Sequence, residues 1–330
     1  MPATDAFTRG PLLPAAARFV TNATPVAARA TAAFDKAWHK LLGAYLSRTP
    51  SAVRAVDILD QRGGRVHNDH IALRSFVDSS GRSGLAFLDF AFTSFGYKPE
   101  DDITIPNLPV NARWYEPPAS TGWPKIFVSE LRSAELPPVA AEIVFKHVDG
   151  YFASGPKTSG PGTSALRLAI AAADGDALAT LLDDPPWQPS LAEVNAVRSA
   201  DGGDPALRNA TEYAAWTLTH GHRINHLTIL QNVLGLEDSG AKDLVSLNAL
   251  LKGEGFEFNA AGGADGLTQG SEAAHLEQSS TVADLVPHTF GCGATKDVPL
   301  AFLELIRRHE GFRGFLGQNA KGIFASTHAR

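Results

Sequence analysis

The feature that most constrains the fold of this chain is a weak internal repeat. Asp69-His70-Ile71-Ala72-Leu73 is answered far along the chain by Asn225-His226-Leu227-Thr228-Ile229. Each is a short polar residue, a histidine, and then apolar residues suited to a strand. A segment of helical spacing follows each one and ends near a glycine, at Phe95-Gly96-Tyr97 and at Gly253-Glu254-Gly255-Phe256. Each half then closes on an apolar run that carries one glutamate: Glu130 within Ile126–Leu131, and Glu304 within Leu300–Ile306. Two copies of a unit that cannot bury its own apolar face are expected to pair. Their pairing would bring two histidines and two glutamates toward one central cavity.

Around this repeat the chain reads as an α+β protein, organised as a single catalytic domain over 1–330. A tail (1–30) leads into a helix over Ala30–Leu46, where Phe34, Ala37, Trp38, Leu41, Leu42 and Tyr45 recur at helical spacing. The first β-containing half (60–135) holds a strand at Val66–Phe76, a turn at Asp78–Gly81 and a helix from Gly84. Short strands follow at Ile103–Ile105, Ala112–Tyr115 and Lys125–Leu131. A helical insertion (139–219) carries helices at Val139–Tyr151, Leu166–Leu182, Leu191–Ala200 and Ala206–Thr219. The polar loop Ser154–Gly162 and the prolines Pro185, Pro186 and Pro189 interrupt it. The second half (222–310) has a strand at Ile224–Leu230, a helix at Lys242–Lys252, a turn and short strand at Gly253–Phe258, and the run Leu300–Ile306. Leu276–Val286 fits no single element, and a C-terminal segment (311–330) follows.

Composition narrows the function. A formal net charge of -6, with Arg and Lys scattered, argues against nucleic acid, which is bound through concentrated positive charge. The one cysteine, Cys292, rules out an internal disulfide and a multi-thiolate zinc site. It reads as a lone buried or loop thiol rather than a nucleophile, since no neighbouring cation lowers its pKa. No run of 18 apolar residues predicts a membrane span. Pro11 and Pro14 break the apolar stretch of the first residues, so no secretory core is expected and a cytoplasmic setting is.

Strand alternation puts His70, Ala72, Arg74 and Phe76 on one face and Asp69, Ile71 and Leu73 on the other. His226 groups with Ile224 and Thr228 in the same way. If both strands line a half-closed sheet, two imidazoles point inward and can hold a divalent metal. One carboxylate would complete the two-histidine, one-carboxylate face associated with non-haem Fe(II). For Glu304 two readings stand. It is a buried ligand in an apolar strand, or it forms an exposed i,i+4 pair with Arg308 on an amphipathic helix over Pro299–Glu310. Glu130 is the alternative ligand and Glu277 a more remote one. His220 and His222 precede His226, and His222 shares its strand parity, so a plain His-rich loop is the alternative there, although only His226 sits in an apolar strand. His67 falls on the face opposite His70, behind the ligands or at the surface. Arg74 lies about 13 Å from His70 along the strand, which leaves room for a short acid held by metal at one end and guanidinium at the other. Gln278-Ser279-Ser280-Thr281 offers hydroxyls and an amide to a polar substrate or to a turn.

Taken together, Val66–Phe76, Asn225-His226-Leu227-Thr228, Gln278-Ser279-Ser280-Thr281 and Asn319-Ala320-Lys321-Gly322-Ile323-Phe324 resemble the 2-oxoadipate dioxygenase/decarboxylase family. The resemblance spans about Ala30 to Thr327 and is most specific around His70. It implies a modified vicinal-oxygen-chelate, or glyoxalase-like, half-barrel sheet with inserted and flanking helices. It also implies Fe(II)-dependent conversion of 2-oxoadipate and O2 to 2-hydroxyglutarate and CO2, a step of lysine catabolism. The metal ligands would be His70, His226 and Glu304. Arg74 would take the substrate carboxylate, with Ser280 and Thr281 as further substrate contacts. The competing expectations are a glyoxalase-like isomerase or lyase that does not use O2, and a non-catalytic small-molecule-binding protein.

Overall fold

A computed structural model of the chain describes residues 25–328 apart from Ser120, 154–159, Ala261 and Ala264. The expected tail lies outside these residues as far as position 24, and so does most of the expected polar loop at 154–162. Two helices open the described chain, α1 (Pro25–Arg48) and α2 (Pro50–Gln61). The first β-containing unit is β1 (Asn68–Val77), α3 (Gly84–Thr93), β2 (Lys98–Thr104), β3 (Val110–Glu116) and β4 (Lys125–Arg132). Five helices follow: α4 (Pro138–Val148), α5 (Pro161–Ala172), α6 (Gly175–Asp183), α7 (Leu191–Ser199) and α8 (Pro205–His220). The second unit is β5 (His226–Leu230), α9 (Leu244–Gly253), β6 (Gln269–Ser271), β7 (Leu276–Ser280), β8 (Leu285–Thr289), β9 (Thr295–Pro299) and β10 (Phe302–Arg308). The helix α10 (Gly317–Phe324) comes last.

Eight strands form one curled half-barrel sheet in the order β2-β3-β4-β1-β5-β10-β7-β6. The repeat read in the sequence is therefore the plan of the fold. In the first unit the opening strand β1 pairs in parallel with the closing strand β4. In the second, β5 pairs in parallel with β10. The two opening strands meet antiparallel at the centre, with Ala72 opposite His226. The second unit differs by the separate hairpin β8-β9, inserted between its third and last strands.

Position in the sheet explains the strand sequences. β1 has neighbours on both sides and is buried along nearly its whole length, as a central strand with a parallel partner should be. β2, at the edge, carries Lys98, Glu100, Asp101 and Asp102 and is exposed, which discourages pairing with other chains. α3 packs behind β1 and β4. It starts at Gly84, where a Cβ would run into the Ser75 side chain and the Phe76 carbonyl. α8 covers the opposite face, where the Tyr213 hydroxyl meets Ser129 of β4 at 2.9 Å.

Several expectations are corrected. α2 has no counterpart in the sequence reading. The single helix expected over Leu166–Leu182 is two, because Ala173 adopts a left-handed conformation (φ 52°) and Asp174 caps the next helix. Leu276–Val286 divides into β7 and β8. The helix considered over Pro299–Glu310 does not form. β10 is inserted between β5 and β7, so Leu303 and Leu305 as well as Phe302, Glu304 and Ile306 are buried. Among the described residues, no helix is long and apolar enough to cross a membrane.

Candidate metal centre

His70 on β1, His226 on β5 and Glu304 on β10 belong to three neighbouring strands. The register aligns them on one face: Ala72 pairs with His226, and Thr228, two residues along, pairs with Glu304. His226 Nε2 lies 3.3 Å from His70 Nε2 and 3.2 Å from Glu304 Oε2. His70 Nε2 lies 3.7 Å from Glu304 Oε1. All three residues are buried, Glu304 with 1% of its surface exposed.

The donor set fits a divalent metal. Three donors at right angles, each about 2.1 Å from one ion, would stand about 3 Å apart, close to the separations found. Burial lowers the pKa of His226 well below the ordinary histidine value, reinforced by His70 and Arg74, so its ring is neutral as a ligand must be. Burial raises the pKa of Glu304, opposed by His70 and by the Gln278 amide, a strain that a bound cation would relieve. Gln278 Nε2 donates to Glu304 Oε1 at 2.7 Å, and Asn319 Nδ2 in turn donates to Gln278 Oε1 at 3.1 Å.

Asp69 was expected on the far face of β1. The β1–β5 register is irregular between Asn68 and Ile71, and the Asp69 carboxylate reaches His70 Nδ1 at 2.9 Å. Arg308 also grips it, donating from Nε and Nη2 at 2.8 and 2.7 Å. Hydrogen bonds from Arg308 and His70 overcome the upward push of burial, and the Asp69 carboxyl is held well below the usual range. Apolar rings close the site. Phe315 packs edge-on to His70 with centroids 4.7 Å apart, and Phe302 lies 4.8 Å from the His226 ring.

Arg74 sits further along the same face of β1 and is fully buried. Its guanidinium lies over Trp216, Tyr213 and Phe324, 4.7, 5.0 and 5.1 Å from their ring centroids. Nη1 donates to the Thr327 hydroxyl at 3.0 Å, while Nε and Nη2 have no hydrogen-bond partner among the described residues. Burial lowers its pKa to about 10, leaving it charged at neutral pH. A buried cation with two idle donors is costly unless an anion joins it. Phe324 connects the two sites: it packs on Arg74 and also lines the small cavity beside the triad, with Phe127, Phe315, Leu316 and Ile323.

Other expected site residues lie elsewhere. Glu130 faces away from the triad; it accepts hydrogen bonds from Ser83 Oγ (2.6 Å), the Leu85 N–H (3.0 Å) and Asn111 (3.2 Å). Register explains this: the position equivalent to Glu304 in the first half is Phe127, paired with Ala72, and Glu130 is an odd number of residues beyond it. Only one of the two glutamates of the repeat therefore reaches the centre. Glu277 is bonded to His309 at 2.9 Å. The Thr281 hydroxyl accepts the Leu303 N–H at 3.0 Å and so serves the backbone between β7 and β10. Ser280 is opposite Glu304 in the register, but its hydroxyl meets Ser326 at 2.8 Å. His220 and His222 are buried against the carbonyls of Pro299 and Arg74. His67 is exposed, as is Cys292. Sequence reasoning missed the role of Asp69 and the aromatic enclosure of Arg74. The acidic residue beside a strand histidine was the available signal for the first; nothing local announced the second.

Known proteins resemble this chain in sequence and in fold. The model of the family described as 2-oxoadipate dioxygenase/decarboxylase matches residues 39–309. The chain belongs to that family. A rice relative, 2-oxoadipate dioxygenase/decarboxylase, chloroplastic/amyloplastic, is 31% identical over 310 residues, 86% of this chain and 75% of the relative. The crystal structure of rice hydroxyglutarate synthase in complex with 2-oxoadipate superimposes with a TM-score of 0.70 at 27% identity, covering 91% of this chain and 93% of that one. A putative glyoxalase superfamily protein from Ralstonia eutropha shares the fold, with a TM-score of 0.62 at 22% identity over 84% of this chain and 83% of that one. Membership of the 2-oxoadipate dioxygenase/decarboxylase family makes the chain an enzyme, and sets aside the non-catalytic binding protein.

Proposed function

We propose that His70, His226 and Glu304 hold one Fe(II) and that the enzyme converts 2-oxoadipate and O2 to 2-hydroxyglutarate and CO2, a step that would belong to lysine breakdown. The observation that carries this reading is the pairing of a convergent ligand set with a buried arginine that has idle donors on the same strand face. A 2-oxo diacid has groups for both. Bound iron would supply open positions for oxygen and for the chelating 2-oxo acid end.

The chain's own residues account for positioning. Arg74 would take the far carboxylate through Nε and Nη2, with Thr327 fixing the third corner of the guanidinium. Tyr213, Trp216 and Phe324 keep water from that ion pair and so strengthen it. A substrate held at both ends keeps its shortened chain beside the reacting centre, and that proximity favours hydroxylation of the same molecule. One oxygen atom enters the new carboxylate and the other the new hydroxyl, so no second organic substrate is required.

The cavity beside the triad measures about 20 Å³, the size of a water molecule rather than a six-carbon acid. The segment Phe315–Phe324 supplies four of the side chains that line it, so room for the acid would come from that side.

The test is direct. The apo-protein is loaded anaerobically with Fe(II), 2-oxoadipate is added, and air is admitted in an oxygen electrode while CO2 and 2-hydroxyglutarate are followed. Stoichiometric uptake that vanishes in His70→Ala is expected. Absence of uptake with iron fully bound would exclude 2-oxoadipate, and turnover without oxygen would favour a glyoxalase-like reaction.

A further inference from the structure

We propose that Asp69 and Arg308 act as a positioning pair for His70: they fix which ring nitrogen carries the proton, and they tie that ring to the roof of the site. The inference rests on the reading of His70 as a metal ligand. A carboxylate only accepts hydrogen bonds, so the contact between Asp69 Oδ1 and His70 Nδ1 places the proton on Nδ1. Nε2 is thereby left as the acceptor nitrogen, 3.1 Å from the Thr228 hydroxyl, 3.3 Å from His226 Nε2 and 3.7 Å from Glu304 Oε1.

Arg308 makes this arrangement rigid. Its Nε and Nη2 hold the two Asp69 oxygens in a fork, and its Nη1 donates to the Gly314 carbonyl at 2.7 Å. The guanidinium also lies 5.0 Å from the centre of the Phe315 ring. Phe315 in turn packs edge-on against His70. The contacts close a loop through four side chains, His70, Asp69, Arg308 and Phe315, so displacement of the roof and alignment of the ligand ring are mechanically linked. A lysine could not reproduce it, having neither the fork nor the plane.

The second half shows what the pair adds. His226 follows Asn225, whose amide donates to the Ala72 carbonyl at 3.0 Å instead of meeting the ring. His226 Nδ1 has no hydrogen-bond partner among the described residues. The protein thus presets one imidazole and leaves the other to be set by what binds.

The experiment compares full-length wild type, Asp69→Asn and Arg308→Lys by two readouts that need no turnover. Competition titration with Co(II) gives metal affinity. Nitrogen-15 NMR of the imidazoles in the metal-free protein reports the tautomer, with His70→Gln used to assign the signal. The expected result is a loss of Co(II) affinity on the order of 10–100-fold in Asp69→Asn, a smaller loss in Arg308→Lys, and a shift of the His70 signal from one tautomer to a mixture. If Asp69→Asn fails to fold, Asp69→Asn/Arg308→Gln replaces it, since it strands no charge. Wild-type affinity with an unchanged tautomer signal would overturn the proposal. Wild type that binds no Co(II) would overturn the metal reading instead, while the tautomer signal would still decide whether the pair positions His70.

Discussion

The two halves of the sheet share a plan and differ at nearly every position that matters for chemistry. Where the first half has Asp69, His70, Ala72 and Arg74, the second has Asn225, His226, Thr228 and Leu230. Across the parallel partner strands, Phe127 in the first half stands where Glu304 stands in the second. One half therefore contributes a buttressed histidine and a buried arginine, and the other a freer histidine and the carboxylate. Duplication provides a symmetric platform, and the asymmetric substitutions on it set a cluster of two histidines and a glutamate at one end and a buried arginine at the other. A faithfully symmetric pair would have gathered like groups and repelled itself.

Exchanging residues between the halves tests this division. The largest effect is expected for Glu304→Phe, which installs the first-half residue: metal binding and oxygen uptake are both lost, while the thermal midpoint holds or rises because a buried carboxylate is gone. Metal retention in this variant, measured by Co(II) titration, would mean that the carboxylate ligand lies elsewhere.

Arg74→Leu, which copies Leu230, should come next. The KM for 2-oxoadipate is expected to rise about 100-fold, as losing roughly 3 kcal/mol of charge-assisted hydrogen bonding would produce. The metal-free variant should be more stable than wild type by roughly 1–3 kcal/mol, since an unmatched buried cation is removed. The monoacid 2-oxohexanoate provides the control, because it should suffer with wild type but lose little more with the variant. An equal loss for both acids would dissociate Arg74 from the far carboxylate.

A smaller effect lies at the seam between the halves. His222 donates from Nδ1 to the Arg74 carbonyl and is held by burial at a pKa of about 4. An unfolded histidine titrates near 6.5. The unfolded state therefore binds the extra proton first, and stability is lost as pH falls from about 6.5 toward 4, by up to roughly 1.4 kcal/mol per pH unit for this group. His222→Phe, suited to neighbours Phe87, Phe152 and Trp187, should flatten part of that slope in denaturant titrations. An unchanged slope would assign the acid sensitivity to other buried histidines.

Much was legible from local pattern. The two histidines were found because each sits in a short polar-then-apolar strand, and the helices of the insertion because their apolar spacing is regular. What failed did so for identifiable reasons. Phe302, Leu303, Glu304, Leu305 and Ile306 are compatible with a buried helix as well as a strand, and only insertion between β5 and β7 resolves it. Glu130 looked like the partner of Glu304 because both interrupt an apolar run, yet strand parity turns it to the other face.

By itself, then, the sequence determined the repeat, the pair of strand histidines and the class of ligand available to a metal, because these follow from residue type and spacing along a single strand. Tertiary structure alone decided which carboxylate reaches the histidines, that Asp69 bends back to support one of them, and that Arg74 lies buried with idle donors among three aromatic rings. Those outcomes depend on register between strands far apart in the chain, and a slip of one residue would send every side chain to the opposite face.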